Sequence, residues 1–164
     1  MAHSSETAAT APLAGRLLLL VYAGAAYAVF LGVFVTFILW SVGVGLPVSV
    51  DGVPLLFTVP GTALAVGVDL GLIALFGLQH STMARRGFKA RLARVVPQPA
   101  ERATYVWVSN AALALLVLGW QPLPGIAWQA EGALRVVLLA CNAAAWLFAI
   151  AATYMVNHFD LFGL

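Results

Sequence analysis

Two histidines close two apolar stretches of this 164-residue chain, and each has polar company. Gln79, His80 and Ser81 finish one hydrophobic run, and Asn157, His158 and Asp160 follow another. Imidazole changes charge near neutral pH, so it can take a proton, ligate a metal or serve as an ordinary interfacial side chain. Asp69 lies eleven residues before His80, on the same helix face and about 16 Å away along the axis. At that separation the two form a polar stripe and cannot hydrogen-bond. A carboxyl inside a membrane helix costs about 2.5–3.5 kcal/mol to insert, which apolar neighbours offset at about 0.3–0.6 kcal/mol each. Two readings of Asp69 stand side by side: a hydrogen-bonded or neutral group between helices, and a functional one. Ser109, Asn110 and Asn142 read as interhelical hydrogen-bonding groups. The single cysteine, Cys141, lies among apolar neighbours and reads as a small hydrophobe rather than a nucleophile.

The elements that must carry these residues are membrane helices. The chain is 63% hydrophobic and 9% charged, whereas a water-soluble domain has about 25% charged residues. That balance excludes a soluble domain, a disordered chain, a coiled coil and a disulfide scaffold. The fold class is all-α, a polytopic integral membrane protein with four spans at about residues 17–44, 60–79, 102–120 and 133–156. Residues 1–15 are small, polar and alanine-rich and read as a disordered tail, leaving 16–164 as one transmembrane domain. The first run is too long for a signal peptide, and at about 40 Å it must tilt or project. Pro47, Asp51, Gly52 and Pro54 mark a loop, Pro60 suits a helix start, and Gly67 with Gly71 forms a GxxxG pattern for close helix packing.

Five of the eight basic residues, Arg85, Arg86, Lys89, Arg91 and Arg94, fall between the second and third spans. This pattern fits a cytoplasmic loop on anionic lipid headgroups and not a nucleic-acid surface. Four spans then place both termini in the cytoplasm, with Arg16 and Arg102 inside and Arg135 outside. Trp40, Trp120 and Trp128 fall at the outer interface, and Tyr105 and Trp107 at the inner one.

The stretch from Phe76 to Trp120 reads FGLQHSTMARRGFKARLARVVPQPAERATYVWVSNAALALLVLGW, and the end from Asn157 to Leu164 reads NHFDLFGL. Both resemble the membrane-bound methanethiol S-methyltransferases, relatives of the isoprenylcysteine carboxyl methyltransferases and of NnrU-type membrane proteins. The QHSTMAR block, Phe88-Lys89, the block from Pro99 to Tyr105 and NHFDLFGL come in the family's order, and the loop PVSVDG from Pro47 to Gly52 fits.

The resemblance implies transfer of a methyl group from S-adenosylmethionine to a small thiol, giving dimethyl sulfide from methanethiol, in a bacterial inner membrane. A thiol is a poor nucleophile until deprotonated, so a base near neutrality would serve. On this reading His80 or His158 is the base and Asp160 orients or charges the imidazole. Gln79 and Asn157 fix the acceptor or cofactor, Asp69 joins the substrate-binding group, and no metal is called for. The resemblance also implies that the cofactor is held largely by a further C-terminal half, with an Arg-His-Pro motif, more spans and a late glutamate. None of these occurs in the 164 residues, so the expectation is a C-terminally shortened chain. The cofactor contacts and oligomeric state stay open. Two rivals remain: an NnrU-type structural module without catalysis, and a subunit in which His80 and His158 ligate a haem.

Overall fold

A computed structural model describes residues 12–43, 49–125, 129–155 and 157–164. Its long helices are α1 (Leu13–Val42), α2 (Thr62–Met83), α4 (Glu101–Gly119) and α5 (Gly132–Met155). Between them lie the short α3 (Arg86–Leu92), after α2, and α6 (His158–Phe162), after α5. Four helical stretches of 30, 22, 22 and 24 residues are long and apolar enough to cross a bilayer, the third including the 3₁₀ turn Gln98–Ala100. No strand occurs among the described residues. In hydrocarbon only a helix satisfies its own backbone groups within one segment, which is why each apolar run takes this form. The protein is an integral membrane protein.

The helix ends differ from the sequence pattern in instructive ways. α1 begins at Leu13 behind Pro12, with the Arg16 N–H bonded to the Pro12 carbonyl, because proline already has a helical φ at a helix start. Residues 13–15, placed with the tail by composition, are thus helical; residues 1–11 lie outside the described residues. At the far end Gly43 turns left-handed at φ 66°, and its N–H closes onto the Trp40 carbonyl. Gly61, not Pro60, caps α2, which runs one turn beyond Gln79 until Arg85 becomes extended. The basic loop itself contains α3. Phe88 and Leu92 are its half-buried side, while Arg86, Lys89 and Arg91 are exposed, the pattern of a helix lying on a membrane surface. Residues 44–48, Trp128 and Val156 lie outside the described residues, so Pro47 and the interfacial placing of Trp128 do too.

α4 is the centre of the bundle and packs against both α1 and α2. Ala23 and Ala26 of α1 meet Ala103 and Val106 of α4, small side chains that let two helices approach closely. Asn110 strengthens this seam by donating its amide to the Ala26 carbonyl at 3.1 Å. Toward the other end Trp40, Leu72, Leu116 and Val117 form a second cluster. α2 turns Ala65, Asp69, Leu72 and Met83 inward, a row at i, i+4, i+7 and i+18. Gly67 and Gly71 therefore face away, and a Cβ at either would meet nothing within 4 Å. The close packing suggested by their spacing is not made among the described residues.

α5 stands apart, with no buried residue. Its main contact with α1 is Trp146, edge-on to Phe34 and Phe37 at 5.2 and 6.0 Å. α6 folds back onto the start of α4, where Phe162 joins the Ala103 cluster. Gly163 ends α6 at φ 81°, and a Cβ there would come within 3.3 Å of the Ala103 nitrogen, so the close approach needs glycine. α1 also touches the 3₁₀ turn and α6, so both ends of the described chain lie with the basic loop at one end of the bundle.

Candidate functional site

The basic end carries both histidines, held in separate surroundings. The His80 ring, at the end of α2, meets the Tyr105 hydroxyl at 2.9 Å and the Ser109 hydroxyl at 3.4 Å, both on α4. Beside it, the Gln79 amide donates to the Met83 sulfur at 3.1 Å and to Ser109 at 3.4 Å. The Gln79 Oε1 is buried without a partner among the described residues. His80 is exposed, whereas His158 is 7% exposed. His158 Nε2 lies 2.8 Å from the Tyr27 hydroxyl of α1, and Nδ1 lies 2.7 Å from the Thr153 hydroxyl of α5. Its ring stacks on Tyr154 at 4.2 Å and 5°.

Among the described residues the two imidazoles share no hydrogen-bond partner. One belongs to the α2–α4 groove, the other to the junction of α1, α5 and α6. Haem ligation would need both rings turned onto one iron, and their hydrogen bonds tie them to different helices. Among the described residues no three His, Cys, Asp or Glu side chains converge as a metal site.

Asp160 pairs with Arg102, carboxylate to guanidinium at 2.5 Å, and Arg102 also donates to the Asp160 backbone carbonyl. The carboxylate that the sequence sets against an imidazole is thus held by a guanidinium. Hydrogen bonding to Arg102, then its charge, holds the Asp160 carboxyl below its ordinary value. A depressed folded-state value stabilises the fold above the ordinary carboxylate range, and that contribution is lost as pH falls through the lowered value. We expect α6 to loosen from α4 at acid pH and in Asp160→Asn at neutral pH. The effect should be modest and weaker in high salt, because the pair is exposed. Hydrogen exchange over residues 158–164 measures it; equal protection in wild type and variant would remove the ion pair as the tether.

Asn157 makes the joint between α5 and α6 at φ 79°, a left-handed conformation that asparagine tolerates better than most residues. It is exposed and makes no side-chain cap. Asp69 is far from both histidines. It is 5% exposed, and its Oδ1 accepts the Gln121 backbone N–H at 2.8 Å, while Oδ2 has no partner among the described residues. Tyr27, Thr153 and the pairing role of Arg102 were not legible in the sequence. Tyr27 lies 131 residues from His158, and no local pattern joins them.

The sequence has close relatives. It is 37% identical over 163 residues to methanethiol S-methyltransferase 1 of Bradyrhizobium diazoefficiens, covering 99% of this chain and 56% of that protein. With methanethiol S-methyltransferase 2 of the same organism it shares 40% over 150 residues, 91% of this chain and 56% of the relative. The methanethiol S-methyltransferase of Mycobacterium tuberculosis is also 40% identical over 150 residues, 91% of this chain and 60% of the relative. No protein-family model and no solved structure matches. The chain spans 56–60% of the length of these three relatives. Identity sustained along nearly the whole chain, on a frame of four membrane helices, places it in the methanethiol S-methyltransferase family.

Proposed function

We propose that the protein serves a membrane-embedded methyltransferase that moves a methyl group from S-adenosylmethionine to methanethiol, giving dimethyl sulfide. The observation that carries this reading is the 37% identity over 163 residues to a methanethiol S-methyltransferase. The chemistry asks for a base, and imidazole is the side chain suited to it at neutral pH. His158 is the better placed, shielded from water and hydrogen-bonded at both nitrogens; the exposed His80 is the second candidate. Asp160 acts through Arg102 by holding α6, and so His158, against α4. Gln79, through its free Oε1, and the exposed Asn157 are the candidates for holding acceptor or cofactor. Asp69, with an Oδ2 unpartnered among the described residues, is the remaining substrate-binding candidate, at a separate position that a thiol held at either histidine does not reach.

S-adenosylmethionine, when bound, supplies a methyl carbon made electrophilic by its sulfonium. A cavity of about 310 Å³ at the basic end is lined by Met83, Lys89, Glu101, Arg102, Tyr105 and Asp160. Its two acids and two bases are paired with each other, Lys89 with Glu101 at 3.6 Å and Arg102 with Asp160 at 2.5 Å, so the amino-acid end of such a molecule would have to exchange into these pairs. Tyr105 is the one ring on its described walls, too little to enclose an adenine as well. The described residues therefore do not fit the whole cofactor. Calorimetry on the detergent-purified 164-residue chain should show no binding at micromolar cofactor. Micromolar binding would mean that these helices contain the cofactor site.

The basic loop, on this reading, lies on anionic lipid at the cytoplasmic face of a bacterial inner membrane, with both termini on that side. Cysteines introduced at Ser49 and Ala93 test the orientation: an impermeant reagent outside the cell should reach only the first. Labelling at Ala93 alone inverts the orientation. The function itself is tested with membranes from cells carrying the gene, given methanethiol and methyl-labelled S-adenosylmethionine at millimolar concentration, so that weak cofactor binding does not limit the outcome. Labelled dimethyl sulfide is the expected product; its absence at normal protein level would leave an NnrU-type module without catalysis.

A further inference from the structure

α5 meets α1 so loosely that a crevice of about 290 Å³ is left between them. Its walls include Phe30, Phe34, Trp146 and Ile150, and at the basic end it is lined by Tyr27 and His158. Both helices present exposed apolar side chains beside it, including Leu31, Val35 and Leu147, so a solute dissolved in the bilayer reaches it without crossing water.

Proton accounting determines what the polar end can do. The Thr153 hydroxyl donates to the Ile150 carbonyl at 2.6 Å. A hydroxyl has one proton, so toward His158 Nδ1, 2.7 Å away, Thr153 can only accept. Nδ1 of the neutral ring therefore bears the hydrogen, and Nε2 bears the lone pair. Tyr27, 2.8 Å from Nε2, must be the donor in that bond. The tautomer is thus assigned by its neighbours, and Tyr27 oxygen keeps its lone pairs for another donor.

We propose that this crevice binds the small alkyl thiol, and that Tyr27 is the first group to receive its proton; this rests on the methyltransferase reading above. The S–H bond breaks and its proton passes to the Tyr27 oxygen while the Tyr27 proton passes to His158 Nε2. The products are a thiolate in the crevice and an imidazolium, with Tyr27 restored. The imidazolium is well received. Thr153 already accepts its Nδ1–H, and the Tyr154 face lies flat on it at 4.2 Å. Rings attract such a cation, strongly where water is absent. The nearby charges of Asp160 and Arg102 are spent on each other. Among the described residues no Asp, Glu, Lys or Arg lines the crevice, so beside the neutral His158 a thiol bearing carboxylate or ammonium groups would be buried there uncompensated and is rejected.

The test uses the full chain in proteoliposomes, with radiolabelled methanethiol as the binding probe, and membranes carrying the gene for turnover. Ile150→Trp fills the crevice and should abolish saturable binding. Ala149→Leu fills it less, so the fold is kept, and should raise KM about tenfold, the cost of a methylene-scale misfit in an apolar pocket. Tyr27→Phe keeps the ring and should lower kcat about 10²-fold with little change in KM, the size of one acid–base group. Wild-type binding and turnover in both filling variants, with dimethyl sulfide still formed, would overturn the crevice and leave the methyltransferase reading intact. Saturable binding that Ile150→Trp abolishes, with no dimethyl sulfide from wild-type membranes, would sink that reading and leave the crevice as a thiol site. Equal losses of kcat and KM effects in Tyr27→Phe and Ala149→Leu would remove Tyr27 from the proton path.

Discussion

His158→Ala should lower dimethyl sulfide formation at pH 7 by about 10²–10⁴-fold, the contribution of one positioned acid–base group. Protein level in the membrane should change far less. The ring does pack, edge-on to Phe159 at 5.4 Å and tilted against Phe162 at 5.0 Å. Yet α6 keeps two other attachments after truncation: the Arg102–Asp160 pair, and Phe162 in the Ala103 cluster. Loss of packing therefore acts on the amount of protein, and loss of the base on turnover per molecule. Raising the pH separates the two, because the thiol then ionises without help and the rate recovers. His80→Ala measured alongside divides the histidines, since among the described residues the rings share no hydrogen-bond partner. An unchanged rate at pH 7 in either variant removes that histidine from the mechanism.

Gln121→Ala should markedly destabilise the opposite end of the bundle. The side chain is 3% exposed and makes three hydrogen bonds. Oε1 accepts the Val59 N–H at 3.1 Å, and Nε2 donates to the Phe57 and Gly119 carbonyls at 2.9 and 2.8 Å. The amide thereby ties the loop before α2 to the end of α4. Alanine leaves those backbone groups without the partner they had, at about 1–3 kcal/mol for each buried group so orphaned. Asp69→Asn should be milder, because an amide oxygen can still accept the Gln121 N–H held by Oδ1. Thermal unfolding in detergent gives the comparison. A Gln121→Ala protein as stable as wild type would show that water replaces these bonds and that the loop is not held by the amide.

Membrane class and four helices were legible because they depend on local quantities. An apolar run long enough to cross hydrocarbon must be helical whatever surrounds it, since the helix pairs its own backbone groups. The motifs from Phe76 to Trp120 and from Asn157 to Leu164 likewise carried the family resemblance without a structure. Periodicity also put Asp69 and His80 on one face of α2, and that face does turn toward α4, where Gln121 and Tyr105 meet them.

Which helix meets which face was decided only in three dimensions. Lipid tails are as apolar as leucine, so a membrane helix has no hydrophobic contrast to mark the side that packs. Gly67 and Gly71 illustrate this: their spacing suits a helix contact, yet the row containing Leu72 makes it. Arg102 lies 58 residues from Asp160 and Tyr27 131 from His158, separations at which no sequence period operates. The helical frame follows from the composition of each segment by itself. The hydrogen bonds of His158 and the crevice beside it follow from how α1, α5 and α6 meet, because Tyr27, Thr153 and His158 come one from each of those helices.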